Sequence, residues 1–207
     1  VSTEGVPIGV LNAQFTAPAA KSEQDQRPSH EIPIEEKKSF AWIAGLRECV
    51  SLCKDLPQTR QVCVMDREAD FFELFDEQRK SAKVELLVRA KHDRVMSAEG
   101  HLFEAVRQSP VQGALQVVVP RQSARPKKSK QKARTATEQR TADVQLRYLQ
   151  ITLPPPAHQK EKAPIPLWVV HILEPSAPED TKPLEWFLLT TCAIHSIDDA
   201  QACLRWY

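Results

Sequence analysis

The stretch RQVCVMDREADFFELF, residues Arg60–Phe75, decides how the rest of the chain is read. An apolar run, Val62, Cys63, Val64 and Met65, stops at Asp66; a charged turn follows, and Phe71, Phe72, Leu74 and Phe75 then return at helical spacing. This is the pattern of a buried strand that delivers an acid at its carboxyl end and passes directly into a helix. Ligands of α/β sheets gather at the carboxyl ends of strands, so Asp66 stands where chemistry is usually done. From position alone it has two readings, a functional carboxylate or a turn residue. Asp70, just ahead of the phenylalanines, suits the N-cap of the helix, which is predicted over Ala69–Ser81.

Upstream, Trp42, Leu46, Cys49 and Cys53, widened by Ile43 and Val50, make an apolar stripe that predicts a helix over Lys37–Leu56, stopped by Pro57. Downstream, VELLVR predicts a strand at Val84–Arg89, leading into Ala90, Lys91 and His92, and Gly100–Ser109 reads as a short helix stopped by Pro110. Near the start, a turn at Glu4-Gly5 precedes a predicted strand, Ile8–Phe15, and Thr16–Glu36 reads as a polar, Pro-containing loop. Strands alternating with helices argue for an α/β layer with parallel pairing.

Beyond Pro110 the character changes. Ala114–Val119, Ala142–Leu153, Leu167–Leu173 and Glu185–Thr191 are strand-like runs separated by long polar loops, the signature of an antiparallel β insertion. Ser196 with Asp199 three residues on resembles a capped helix start, followed by AQACLRWY.

Composition narrows the class. The 207 residues are ordinary in apolar and charged content, no run approaches the roughly eighteen apolar residues of a membrane helix, and no signal-peptide pattern opens the chain. Five cysteines, an odd number without a CxxC pair, argue against a disulfide framework or zinc site and for a cytoplasmic protein with free thiols. The histidines show no metal-ligand spacing. Charge is uneven: Arg121–Arg140 holds eight Lys/Arg against one acid, and this +7 within an overall +1 leaves −6 for the remainder. Such a run is either a solvated loop or a phosphate-contacting one; Lys127, Lys128 and Lys130, without aromatic neighbours, suit nonspecific contact.

Several motifs in order carry a resemblance: DREADFF after an apolar strand, LLVRAKH after the next helix, PLEWFLLTT among the later strands, LRWY in the last helix, and PIGVL near the start. Over nearly the whole chain this resembles a bacterial insertion-sequence transposase of the DDE type, the branch with a Tyr-Arg-Glu-Lys signature. The resemblance implies a ribonuclease-H-like α/β core over residues 1–110, an antiparallel β insertion over 111–192, and the start of a signature helix over 193–207. It implies Asp66 as the second acid of a metal-binding triad. Arg89, with Lys91 and His92, would contact transposon-end DNA. Trp186 would stack on a flipped base, and Tyr207 would hold DNA near the scissile phosphate. Mg²⁺, with Mn²⁺ as the alternative, would be the cofactor. The partners would be double-stranded transposon-end DNA and, in the intact protein, a second copy in a homodimer, without a membrane. The setting would be the bacterial cytoplasm and its nucleoid.

The departures matter as much. The triad's first aspartate would precede Val1 and its glutamate would lie roughly two helical turns beyond Tyr207. With no initiator methionine at Val1 and a close inside a predicted helix at Tyr207, the sequence is expected to be a fragment that does not cleave DNA alone. Two-metal phosphodiester chemistry needs carboxylates converging from several elements. The plainer readings keep Trp186 in strand packing, Arg89 as a solvated strand end, and Trp42, Trp168 and Trp206 in the core. Two rival functions stand beside the transposase: a relic that only binds DNA, and another metal-dependent nuclease, for which Asp66, Glu68 and Asp70 would have to suffice.

Overall fold

The apolar run before Asp66 does form a strand, and the chain folds around it. A computed structural model describes residues 1–10, 12–13, 27–28, 31–96, 100–127, 133, 135–179 and 181–207. In chain order the elements are α1 (Phe40–Leu52), β1 (Gln61–Met65), α2 (Phe72–Ser81), β2 (Val84–Arg89), β3 (Val95–Met96), β4 (Gly100–His101), α3 (Leu102–Gln108), β5 (Gly113–Val119), β6 (Arg140–Leu153), β7 (Ile165–Leu173), β8 (Glu185–Thr190) and α4 (Ile197–Trp206). Single 3-10 turns lie at Ile34–Glu36, Arg67–Ala69 and Ala157–Gln159.

Six strands form one mixed sheet in the order β1-β2-β8-β7-β6-β5, and β3 with β4 makes a separate small pair. β1 and β2 run parallel, as a helical crossover through α2 requires. All the other pairings in the sheet are antiparallel, and β5 to β8 follow one another as a meander. The fold is therefore mixed α/β. The strands after Pro110 do not build a second sheet: β8 docks on β2, with Arg89 opposite Leu188.

Side chains alternate across the sheet and fill two cores. On one face Val84, Leu86, Val88, Val169, Phe187 and Leu189 meet Ile43 and Leu46 of α1, Leu74 and Phe75 of α2 and Leu102 and Val106 of α3. On the other, Leu87, Val170, Ile172 and Leu188 meet Ala200 and Cys203 of α4. Leu74 and Phe75 are fully buried, each contributing about 1.5–3 kcal/mol of apolar transfer. α4 starts on a true capping box: Ser196 accepts from the Asp199 amide while Asp199 accepts from the Ser196 amide.

Some expectations are corrected. Among residues 8–10, 12 and 13 there is no strand, and Ile8 and Val10 are 80% and 84% exposed. An isolated strand has nowhere to send its backbone hydrogen bonds, and nothing described pairs with this segment. The turn before it is present, with Gly5 at φ +82. The helix expected from Gly100 begins at Leu102, because Gly100 at φ +74 is not helical and His101 pairs with Val95. α1 stops at Leu52, before Pro57, in a run of turns. Most of the loop expected at Thr16–Glu36 lies outside the described residues; its described end carries a 3-10 turn.

α2 ends on Ala82 in the left-handed conformation, φ +49, with its amide bonded to the Gln78 carbonyl at 2.8 Å. A Cβ is strained there, and Ala82 is exposed, so nothing is lost by removing it. Ala82→Gly should raise the unfolding free energy by about 0.5–1 kcal/mol in a urea titration; a loss of stability would show that the helix ends differently.

Candidate nucleic-acid interface

The strand register defines one rim of the sheet. Met65 lies beside Val88, so Asp66 and Arg89 occupy the next positions at the carboxyl ends of β1 and β2. β8 begins at the same end, since it runs antiparallel to β2, and Trp186 sits two residues before the partner of Arg89. Through β8 and β7, Arg89 is level with Tyr148 of β6. β7 ends three residues beyond that level at Leu173, whereas β6 begins eight residues beyond it at Arg140, paired with Val119 at the end of β5. Arg121–Arg140, the connection between β5 and β6, therefore leaves the same end of the sheet as Asp66 but from a ribbon that projects about 26 Å past it, at the opposite edge.

Asp66 is exposed and holds the 3-10 turn that follows it, accepting from the Glu68 amide at 2.8 Å. Among the described residues no cation pairs with it. The neighbouring carboxylates on the rim are engaged. Glu185 takes both nitrogens of a forked Arg107 contact at 2.8 and 2.9 Å and also faces His171 at 3.1 Å. Glu174, buried, is bound by Arg140 through both oxygens and accepts from the Leu184 amide at 2.9 Å. Their guanidinium partners hold both carboxyls below the usual range.

Asp70 does not cap α2. The N-cap position is Phe71, which makes no side-chain cap bond. The Asp70 carboxylate is buried and turns instead toward the strand β2 exit, bonding the Lys91 and His92 amides and pairing with Arg94. The sequence signal was ambiguous because an acid before an apolar helix looks the same in both roles.

Arg89, Trp186 and Tyr207 come together. The Arg89 guanidinium lies over the Trp186 ring, 5.4 Å from its centroid, and Tyr207 meets the same ring edge-on at 5.3 Å. Trp186 and Tyr207 are half-buried against the α4 core, so Trp186 both packs and remains reachable. Trp168 and Trp206 pack on the same core, and Trp42 on the other, as expected. Lys91 and His92 are exposed just beyond Arg89. Lys127 is exposed across the rim, whereas Lys128 and Lys130 lie outside the described residues. The described part of the basic connection starts as a ribbon, with Gln122 and Thr137 exchanging backbone bonds at 2.9 Å.

Beneath Trp186, α3 is clamped to the strands by a stack of Phe103 on Phe187 and Phe187 on His171, with centroids 4.1 and 4.3 Å apart. Sequence inspection missed this clamp: Arg107 and Glu185 are 78 residues apart, and no local pattern links them.

For metal chemistry the described residues offer one ligand, Asp66. No group of three or more His, Cys, Asp or Glu side chains suited to a metal is present among them. One carboxylate is too few to hold a hard cation, so no catalytic step is derived through one here. No helix among the described residues is long and apolar enough to cross a membrane.

Two measurements check this description. Asp66→Asn keeps an acceptor for the Glu68 amide and removes only an exposed charge, so unfolding free energy should change by less than about 0.5 kcal/mol; a larger loss would make Asp66 a structural residue. Burial pushes the His171 imidazole below its ordinary value, with Glu185 opposing. The unfolded chain then binds the proton more readily, so this stabilisation is complete above about pH 6.5 and is lost as pH falls below it. Urea titrations should show that slope in the parent chain and a flatter one in His171→Leu. No model of a known protein family matches the chain.

Proposed function

We propose that this chain is part of the catalytic core of a DDE-type transposase, built on a ribonuclease-H-like plan, that binds transposon-end DNA along the rim of its sheet. One observation carries the reading: one end of the sheet gathers Asp66, the Arg89–Trp186–Tyr207 cluster, Lys91 and His92, and the basic connection leaves from that end on a projecting ribbon. Cationic groups flank a carboxylate that has no cation of its own among the described residues. A polyanion held by those cations would bring its backbone to Asp66. An aromatic platform beside a guanidinium suits a base taken out of its stack.

In this reading Asp66 is one ligand of a Mg²⁺ site, Mn²⁺ being the substitute, and further carboxylates come from outside the described residues. The free edge of β1, where Val64 is 41% exposed, is where another strand bearing such an acid would pair. The intact protein would act as a homodimer joining two DNA ends in the bacterial nucleoid. The single acid also favours a second reading, a module that binds DNA and does not cut it.

The test is duplex binding across a salt series, with Mg²⁺ present. The parent chain should bind with a steep salt dependence and leave the DNA uncut. Arg89→Ala should weaken binding for all sequences and reduce the salt slope by about one. Trp186→Leu, which keeps apolar packing, should cost about 1–3 kcal/mol on DNA carrying an unpaired base and little on intact duplex. Salt-independent or absent binding would refute both readings. Cleavage by the 207-residue chain would refute the assignment of Asp66 to an incomplete triad. A Mn²⁺-induced broadening of Asp66 resonances in the DNA complex, lost in Asp66→Asn, would favour the transposase over the binding-only module.

A further inference from the structure

Arg89 is followed by Ala90–Arg94, which has no regular structure and yet has its backbone tied down residue by residue. The Ala90 amide bonds the Phe187 carbonyl at 2.8 Å, on the neighbouring strand β8. The Lys91 and His92 amides both bond the Asp70 Oδ2, at 2.6 and 3.0 Å. The Arg94 side chain pairs with Asp70 Oδ1 at 2.6 Å and donates to the Asp70 carbonyl at 3.1 Å. On the far side, the Arg94 carbonyl accepts from Leu102 at 2.8 Å, and the Asp93 carboxylate accepts from the Phe103 amide at 2.8 Å. Asp70 is 2% exposed, whereas the Lys91 and His92 side chains point to solvent.

From this we infer that Asp70 is a positioning residue for nucleic-acid binding: its buried carboxylate locks the loop after β2 so that Lys91 and His92 are presented, already ordered, beside Asp66 and Arg89. The inference rests on the DNA-binding reading above. Two features support it. A loop whose amides are held needs little ordering when a phosphate binds, so less of the contact energy is spent on entropy. The charge of Asp70 is matched by Arg94 inside the protein, so the acid can organise a cationic loop without repelling DNA. The same side chain links two consecutive turns: it lies four residues after Asp66 in the turn leaving β1, and it grips the turn leaving β2. A change at Asp70 thus alters the spacing of Lys91 from Asp66 while removing none of the exposed DNA-facing side chains.

The experiment compares the full chain with Asp70→Ala, which removes the acceptor, and with Asp70→Ala/Arg94→Met, the second removing the cation that the first leaves buried and unpaired. Hydrogen exchange at the Lys91 and His92 amides should be slow in the parent and at least about tenfold faster in both variants. Duplex binding by fluorescence anisotropy should weaken about three- to tenfold, with global stability of the double variant near that of the parent. A double-mutant cycle supplies the readout that a merely structural role would not move. Lys91→Ala should weaken binding in the parent and have little further effect on the Asp70→Ala/Arg94→Met background. Additive effects, or unchanged binding with faster exchange, would overturn the inference and leave the DNA-binding reading standing. Slow exchange in the variants would overturn it as well. Absence of binding by the parent chain would overturn both.

Discussion

Strand β2 is the joint on which the structure depends. It pairs parallel with β1 on one side and antiparallel with β8 on the other. Parallel pairing brings the carboxyl ends of β1 and β2 together, and antiparallel pairing brings the start of β8 to the same place. Residues far apart in sequence, Asp66, Arg89 and Trp186, are therefore brought to one end of the sheet by backbone hydrogen bonding alone. The remaining strands extend the same rule, so the basic connection between β5 and β6 leaves from that end too, on a ribbon that projects past the rim. Because each pairing fixes which face a side chain takes, a slip of one residue in the β2–β8 register would turn Trp186 to the opposite core.

Charge on the rim is sorted by burial. Asp70, Glu174 and Glu185 are held by Arg94, Arg140 and Arg107, and each pair ties a loop or helix to the sheet. Such partly buried pairs are costly to break from one side, because the remaining charge loses its partner. Asp66, exposed and without a cation among the described residues, is the exception. A carboxylate left unneutralised among so many guanidinium groups has no structural account, since its bond to the Glu68 amide would serve as well from an asparagine.

Much of the architecture was legible in the sequence. Strand Val84–Arg89 falls where VELLVR places it, and the four later strands fall within a few residues of their apolar runs. Ser196 and Asp199 announced a capped helix, because that interaction is local. What was hidden depends on distant partners. Ile8 and Val10 look like a strand, but a strand is a property of two segments, and the second is absent among the described residues. Asp70 looked like a cap because its true partners lie 21 to 24 residues downstream. Asp66 and Arg89 could be named as candidates from strand ends; that Arg89 would lie on Trp186 could not, since it follows from the β2–β8 register.

The most direct test of the account is an amide chemical-shift titration of the chain with a short DNA duplex. The account predicts perturbations concentrated on the rim: the turn after Asp66, residues 89–94, the start of β8 around Trp186, the end of α4 near Tyr207, and the connection between β5 and β6. Perturbations confined to the opposite end of the sheet, or to the basic connection alone, would contradict it.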